Sequence, residues 1–151
     1  MSPPPAIHFY ATSGDYGCFS NFSRHTVVLK GKRWPTSEHY FQAQKFAGEP
    51  DEEEIRMANK PMLAAQMGRE RKRPLRRDWE SMKEQVMLEA LRAKFTRHEE
   101  LKATLLGTGE SILIEHIAND SYCGDGGDGS GKNRLGHLLM KVREELRDEV
   151  G

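Results

Sequence analysis

The stretch that decides this fold reads Trp34-Pro-Thr-Ser-Glu-His-Tyr-Phe-Gln-Ala-Gln-Lys45. Directly after Pro35, a hydroxyl at Thr36 or Ser37 can accept hydrogen bonds from the N–H groups that a helix leaves unpaired at its start. The stretch therefore predicts a helix that begins near Thr36 and runs to residue 46.

Three polar side chains share one face of this predicted helix, because Glu38, Gln42 and Lys45 occupy positions i, i+4 and i+7. Glu38 and Lys45 would lie roughly 10 Å apart along the axis, which leaves room for a small ligand between a carboxylate and an ammonium. A solvated helix face is the ordinary alternative. Aromatic neighbours favour a functional site, since apolar surroundings shift the pKa values of acids and amines. These neighbours are Trp34, Tyr40, Phe41 and Phe46.

The whole chain predicts a single compact α+β domain that is mostly helical, with a few short β-strands. A chain of 151 residues has the size of one domain, which buries roughly 70% of the surface of its unfolded form. No internal repeat or long linker divides it. We expect residues 1–7 to form a disordered tail and residues 8–147 to form the domain.

Short strands and helices are expected in a defined order. The predicted strands are 6–10, 25–30 and 111–117, with a turn at Gly31-Lys32. The predicted later helices are 51–58, 61–67 ending at Gly68, a long helix capped by Asp78, a short one with Leu101 and Leu105, and a last one capped by Asn133.

Composition limits the class of partner and the compartment. Lys plus Arg and Asp plus Glu both number 23, so no bulk charge indicates a nucleic acid or a membrane. The chain shows no signal peptide and no run approaching about 18 apolar residues, which favours a cytoplasmic protein. Cys18, Cys123 and the six histidines match no metal-ligand or redox spacing. We therefore expect free thiols and no metal. We also expect no cofactor and a monomer.

A glycine-rich segment precedes the last predicted helix and reads Asn119-Asp-Ser-Tyr-Cys-Gly-Asp-Gly-Gly-Asp-Gly-Ser-Gly-Lys-Asn-Arg134. It nearly spells a P-loop, but Asn133 replaces the hydroxyl that binds Mg²⁺, and Asp125 and Asp128 would repel phosphates. The acid spacing of an EF-hand is also missing. What remains is a backbone that can approach a ligand closely, with N–H groups and a helix N-terminus for a diphosphate. A flexible surface loop is the alternative.

A basic run surrounds Pro74 in an otherwise neutral chain. Such a run is usually solvated surface, and its alternative is a contact to phosphate or nucleic acid. Arg71, Lys72 and Arg73 are the residues that we expect to contact nucleic acid. The full run comprises Arg69, Arg71, Lys72, Arg73, Arg76 and Arg77.

Several segments together match a known pattern, in the same order and spacing over nearly the whole chain. They are Phe9-Tyr10, Phe19-Ser-Asn-Phe22, Trp34 through Phe46, Met67-Gly-Arg69, Asp78-Trp79, and Asn119-Asp120 through Gly124-Asp-Gly126 to Asn133-Arg-Leu-Gly136. This pattern resembles the NADAR family. The resemblance implies a helix-rich α+β domain that binds ADP-ribose or a ribose phosphate and hydrolyses an N-glycosidic bond.

The resemblance also implies the site, with Glu38 as the catalytic acid/base and Lys45 beside it. Cys123 departs from the family, in which many members have a large aromatic residue before Gly-Asp-Gly, and this departure bears on base stacking. The expected ligand-binding residues are Asn21, Gln42, Gly68, Arg69, Trp79, Asp120, Tyr122, Gly124, Asp125, Gly126, Asn133 and Arg134.

Two substrate classes are known for the family: ADP-ribose on the amino group of guanine in DNA or RNA, and ribosylaminopyrimidine phosphates of riboflavin synthesis. The basic run favours the first, so the expected function is removal of ADP-ribose from guanine in nucleic acid. An ADP-ribose-binding module without turnover is the third alternative.

Both substrates join ribose C1 to an exocyclic amine, which allows two mechanisms. In the first, Glu38 protonates the ring oxygen, and Lys45, with a pKa lowered by burial, attacks the opened sugar to form a Schiff base. In the second, Glu38 activates water for direct displacement through an oxocarbenium-like state, and Lys45 only holds hydroxyls or phosphate. The sequence leaves both open.

Overall fold

The helices and strands follow the predicted order along the chain. The structure is a computed structural model that describes residues 4–9, 12, 14–117, 122–127 and 131–150. The chain divides into two compact units: a central unit, Asn21–Lys94, and a terminal unit, Met1–Ser20 with Phe95–Gly151. Within the described ranges, no helix is long and apolar enough to cross a membrane.

The described elements confirm a mostly helical α+β fold. The strands are β1 (Ile7–Phe9), β2 (Val27–Leu29), β3 (Lys32–Trp34) and β4 (Leu113–Glu115). The helices are α1 (Ser37–Ala43), α2 (Pro50–Arg56), α3 (Pro61–Gly68), α4 (Trp79–Arg97), α5 (Glu99–Gly107) and α6 (Arg134–Val150), with short 3-10 turns at Gly17–Phe19 and Gln44–Phe46.

The central unit begins with an antiparallel hairpin of β2 and β3. Lys30 and Gly31 form its turn with positive φ angles of 57° and 72°, the two-residue geometry that matches the twist of a hairpin. The predicted turn at Gly31-Lys32 was therefore wrong by one residue, and Lys32 lies in β3, a strand absent from the prediction. The hairpin ends at the buried Trp34, directly before the segment that starts α1.

α1 packs against α2 and α3 in the central unit. Pro50 and Pro61 occupy the first turns of α2 and α3, where a missing N–H breaks no helical hydrogen bond. α1 starts where it was predicted, but it ends at Ala43 and continues as the 3-10 turn Gln44–Phe46. The predicted Lys45 therefore follows the α-helix instead of lying on it.

The terminal unit contains a parallel pair of strands from distant parts of the chain. β1 pairs with β4, so that Ile7 lies opposite Leu113, and α6 packs against β4 and α5. Phe9 packs edge-on against Phe19, with ring centroids 5.6 Å apart. The predicted apolar stripe of the last helix is buried. Its residues are Leu135, Leu138, Leu139, Val142 and Leu146.

Two predicted helix caps use their side chains on other partners. The amide oxygen of Asn133 accepts from the Glu115 N–H at 3.0 Å, and its amide nitrogen donates to the Leu113 carbonyl at 2.9 Å. Asn133 therefore fixes β4. Asp78 precedes α4, but its carboxylate accepts from the Arg76 guanidinium at 2.6 and 2.9 Å. The partners of Asn133 lie 18 and 20 residues away and do not show in a local cap pattern, whereas Arg76 lies only two residues before Asp78.

Candidate active site

The first turn of α1 holds Glu38 in a buried position. Thr36 caps the helix, because its hydroxyl accepts from the His39 N–H at 3.1 Å. Glu38 is 7% exposed, and its Oε1 accepts from Nε2 of Gln42 at 2.7 Å. A carboxylate in the first turn is also stabilised by the positive end of the helix dipole. Glu38 is therefore an acid shielded from solvent. The N-terminus of α1 and the side-chain amide of Gln42 both stabilise its carboxylate.

Asn21 fastens the start of α1 to the preceding segment. Its Oδ1 accepts from the Ser37 hydroxyl at 2.8 Å, and its backbone carbonyl accepts from the Glu38 N–H at 3.1 Å. Asn21 is itself buried. The structure thus places this predicted ligand-binding residue directly beside the predicted acid.

Gln42 is pressed against the end of α3. Its Oε1 is buried and has no hydrogen-bond partner among the described residues. A Cβ on Gly68 would overlap the Gln42 side-chain amide, so this close approach requires glycine. Gly68 was predicted as the stop after α3, and it is instead the last helical residue, with Arg69 following at a φ of −94°.

Gly68→Ala tests the predicted role of Glu38 as acid/base. It is expected to push the Gln42 amide away from Glu38 and to lower kcat of the predicted glycosidase reaction by about tenfold to 10²-fold, since small misplacements of a catalytic group are costly. Gly107→Ala is the matched control, because Gly107 also ends a helix and a Cβ there meets nothing within 4 Å. Steady-state kinetics of both variants check this. A normal kcat in Gly68→Ala would show that the Gln42 contact is dispensable.

Lys45 lies half-buried in the 3-10 turn that follows α1. Its Nζ donates to the Gly68 carbonyl at 3.2 Å and lies 5.9 Å from the centroid of the Trp79 ring. Contacts therefore run from Glu38 through Gln42 and Gly68 to Lys45. Gln42 and Lys45 thus meet at Gly68, and the amide of Gln42 provides the link to Glu38.

A buried histidine absent from the predicted site lies next to Glu38. His39 Nε2 donates to the Ala58 carbonyl at 2.9 Å, which leaves Nδ1 to accept from the Thr36 hydroxyl at 2.8 Å and assigns the neutral tautomer. Burial is the main cause that lowers the pKa of His39, and the charge of Arg24 lowers it further against the Ala58 hydrogen bond. In the sequence, Thr36 lies three residues before His39, and this capping spacing could have predicted the contact between them.

Low pH is expected to destabilise the fold, because His39 becomes protonated when the chain unfolds. Because the folded pKa lies below the ordinary 6.5, the contribution of His39 to the free energy of unfolding is complete above that pH and is lost as the pH falls through the folded pKa. His39→Gln keeps a donor for Ala58 but cannot titrate. Urea unfolding should therefore give this variant a flatter pH dependence, with the exposed His137→Gln as the control. Equal slopes in wild type and His39→Gln would contradict the assignment.

One predicted nucleic-acid contact lies in an ion-pair cluster. The Arg73 guanidinium donates to Asp51, Glu54 and Glu70 at 2.8, 3.1 and 3.1 Å, and the side chain is only 9% exposed. The hydrogen bond with Glu54 is the largest cause that raises the pKa of Arg73. Arg73 therefore joins α2 to the segment after α3, and its contact with nucleic acid stays a prediction.

The other residues of the basic run divide between surface and structure. Arg69 and Arg71 are exposed, and the Lys72 side chain is 82% exposed although it pairs with a neighbouring glutamate at 3.5 Å. The backbone N–H of Arg76 donates to the Lys45 carbonyl at 2.9 Å. Arg76 therefore supports the turn that carries the predicted amine, while Arg71 and Lys72 keep the exposure that a phosphate contact needs.

In the terminal unit, the glycine-rich segment is anchored at the end of β4 by Asp125. Oδ2 of this buried carboxylate accepts from His116 Nδ1 at 2.9 Å, and Oδ1 accepts from the N–H groups of Gly127 at 2.8 Å and Ile117 at 3.3 Å. The hydrogen bond from His116, followed by that from Gly127, lowers the pKa of Asp125. The carboxylate that was predicted to bind ligand thus holds the loop and the His116 ring.

The remaining predicted loop residues surround this anchor. Gly126 has a φ of 74°, a conformation that favours glycine, and Gly124 is buried. The Arg134 N–H donates to the Tyr122 carbonyl at 2.9 Å. Asp120 lies outside the described residues. In the described part of the chain, no three His, Cys, Asp or Glu side chains are arranged to hold a metal ion.

Comparison with known proteins extends the resemblance. The family model of the NADAR domain matches residues 8–147, which include parts of both units. The N-glycosidase YbiA of Escherichia coli is 62% identical over 143 residues, which cover 95% of this chain and 89% of that protein. An N-glycosidase of Nostoc punctiforme is 46% identical over 145 residues, with 94% and 93% covered.

A longer relative and a solved structure complete the comparison. A riboflavin biosynthesis protein of Vibrio vulnificus is 40% identical over 144 residues, which cover 95% of this chain but 39% of that protein. The NMR structure of Escherichia coli YbiA matches with a TM-score of 0.91 and 59% identity, covering 99% of this chain and 89% of that chain. The names of the first two relatives agree with the predicted enzyme class, a glycosidase. The chain belongs to the NADAR domain family.

Proposed function

We propose that this protein is an N-glycosidase that releases ADP-ribose from the amino group of guanine in nucleic acid. The observation that carries the proposal is the series of contacts from Glu38 through Gln42 and Gly68 to Lys45. This series links a shielded acid to an amine through one amide side chain and one glycine. The relatives named N-glycosidases support the reaction class.

In the proposed reaction, Glu38 protonates the ring oxygen of the ribose, the C1–O bond breaks, and the glycosylamine opens to an imine. The neutral amine of Lys45 adds to C1, and the guanine amino group leaves with a proton, so that C1 is held as a Schiff base. Water activated by the Glu38 carboxylate then hydrolyses the Schiff base. The sugar ring closes, and ADP-ribose leaves.

The neighbours of Lys45 also support the rival mechanism. A carbonyl oxygen at 3.2 Å and the face of the Trp79 ring at 5.9 Å both stabilise an ammonium ion. A charged Lys45 would hold hydroxyl or phosphate oxygens while Glu38 activates water for direct displacement. The two mechanisms therefore differ in whether Lys45 ever becomes a nucleophile.

A second candidate substrate is a ribosylaminopyrimidine phosphate. The Vibrio vulnificus relative favours it, because that protein is named for riboflavin biosynthesis and aligns with nearly all of this chain. The same acid and amine would act, because the bond again joins ribose C1 to an exocyclic amine.

A direct substrate comparison tests the proposal. Purified protein is assayed, with EDTA present, on oligonucleotides that carry ADP-ribosylated guanine and on ribosylaminouracil phosphate. Faster release of ADP-ribose from the oligonucleotide is the expected result. Preference for the small substrate would assign the second candidate, and saturable ADP-ribose binding with neither product would make the protein a binding module.

Removing the exposed charges of Arg71 and Lys72 is expected to weaken oligonucleotide binding and to lower the salt slope of its affinity by roughly 1.4 to 1.8, since each lost phosphate contact removes about 0.7 to 0.9. Affinity for free ADP-ribose should not change. Fluorescence anisotropy over a range of salt concentrations measures both, with Lys141→Ala, an exposed cation on α6, as the control. An unchanged salt slope would show that Arg71 and Lys72 are solvated surface residues that do not contact the nucleic acid.

A further inference from the structure

We infer that the segment between α3 and α4, residues 69–78, docks single-stranded nucleic acid, with Leu75 packed against an unpaired base and exposed arginines on the neighbouring phosphates. The choice of nucleic acid rests on the proposed function, in which the substrate is a guanine of DNA or RNA. The base contact of Leu75 goes beyond that proposal. It is argued from contacts within the central unit alone.

The backbone around Leu75 is anchored on both sides. The Arg73 guanidinium donates to three carboxylates, and its side chain is only 9% exposed. The Arg76 N–H donates to the Lys45 carbonyl at 2.9 Å, and the Leu75 N–H donates to the Arg73 carbonyl at 2.9 Å. The ring of Pro74 further restricts the backbone between these anchors. Leu75 is therefore presented by a backbone with few alternative conformations.

An apolar tip stands among cations on this anchored backbone. Leu75 is 55% exposed, and Pro74 beside it is also exposed. A lone exposed leucine is common on protein surfaces. The same segment, however, also exposes Arg69, Arg71 and Arg77, whose guanidinium groups stay protonated. The segment therefore offers apolar surface and fixed positive charge together.

A single strand of nucleic acid matches this combination. Guanidinium groups bind phosphate oxygens in a bidentate manner. Leucine is among the side chains that proteins place against unstacked bases. A duplex keeps the faces of its bases inside the stack. An acidic peptide would pair with the arginines but would leave the apolar tip in water. An unpaired strand is therefore the occupant that uses both features.

The docking segment adjoins the turn that carries Lys45. Arg76 makes the connection, because its N–H donates to the Lys45 carbonyl and its Nη1 donates to the Gln44 carbonyl at 3.5 Å. Leu75 directly precedes Arg76 in the chain. A base packed on Leu75 would therefore belong to a nucleotide close to the modified guanine.

Binding of unmodified oligonucleotides tests the docking segment without turnover. Fluorescence anisotropy of labelled single strands gives the Kd over a range of salt concentrations. Leu75→Ala is expected to raise the Kd about fivefold and to leave its salt slope unchanged, because an apolar contact and no phosphate contact is lost. Arg77→Ala should instead lower the salt slope by roughly 0.7. Ile112→Ala, at a residue that is also 55% exposed, is the matched control and should change neither.

Abasic strands and an aromatic variant identify the base contact. On a strand of the same length without bases, wild type and Leu75→Ala should bind equally, because no base face remains. Leu75→Phe should lower the Kd for the normal strand, since bases stack on aromatic rings. A gain in affinity cannot result from a loss of folded protein.

Three results would overturn the inference. The first is an equal Kd of wild type and Leu75→Ala for the normal strand, and the second is an equal loss on the abasic strand. The third is competition by polyglutamate as effective as that by the single strand, which would assign the surface to acidic proteins. Because these strands carry no ADP-ribose, each failure is distinct from a failure of the glycosidase assay.

Discussion

Glu38→Gln is expected to lower turnover by roughly 10²–10⁴-fold while ADP-ribose binding is largely kept. The new side chain has the same size, and its oxygen can still accept from Gln42, as the carboxylate does at 2.7 Å. It cannot give up and regain a proton. The loss should therefore appear in single-turnover rates and not in the Kd for ADP-ribose measured by calorimetry.

Glu99→Gln provides the matched control for this result. Glu99 also lies in the first turn of a helix, α5, but it is exposed. Its loss should change stability slightly through the helix dipole and leave turnover intact. Near-normal turnover in Glu38→Gln, or an equal loss in both variants, would remove Glu38 from the chemistry.

Lys45→Arg is expected to abolish a covalent adduct with ADP-ribose and to lower turnover by roughly 10²–10⁴-fold, the range for loss of a group that takes part in the chemistry. Arginine keeps the positive charge and a donor for the Gly68 carbonyl, but guanidinium stays protonated and cannot attack a carbon. Borohydride added during incubation reduces a Schiff base to a stable amine. Peptide mass spectrometry should place that amine on Lys45 of the wild type.

Lys60→Arg is the control for nonspecific reduction. Lys60 is exposed at the start of α3, so its replacement should leave both the adduct and the activity intact. A wild-type protein without adduct, together with substantial activity in Lys45→Arg, would favour direct displacement. Lys45 would then be a residue that holds charge beside the sugar.

The sequence predicted the positions of the site residues on α1 better than the contacts that these residues make with other elements. The positions of Glu38 and Gln42 follow from a cap at Thr36 and from helical spacing, both of which are local properties. The contact of Lys45 with Gly68 depends on how α3 packs against α1, and no pattern along the chain contains that information. The predicted face was therefore right for Glu38 and Gln42, whereas the partners of Lys45 had to come from the structure.

The ion pairs of Arg73 depend on charges that are distant along the chain. A basic run in the sequence shows only which charges are adjacent along the chain. Two of the carboxylates that bind Arg73 come instead from α2, at Asp51 and Glu54. The same limit hid the pairing of His116 with Asp125, since the loop must fold back before they meet. Family resemblance supplied the predicted loop residues, and it did not indicate His116.

The pairing of β1 with β4 has a consequence for biosynthesis. Ile7 is made before the central unit, whereas Leu113, its partner in the register, is added only after the whole central unit has been made. Contacts between residues so distant in sequence form slowly, because a long loop must close before they are gained. All residues of the central unit are therefore available for folding before β1 has its partner strand, β4. The pairing of β1 with β4 can therefore form only after the residues of the central unit have been made.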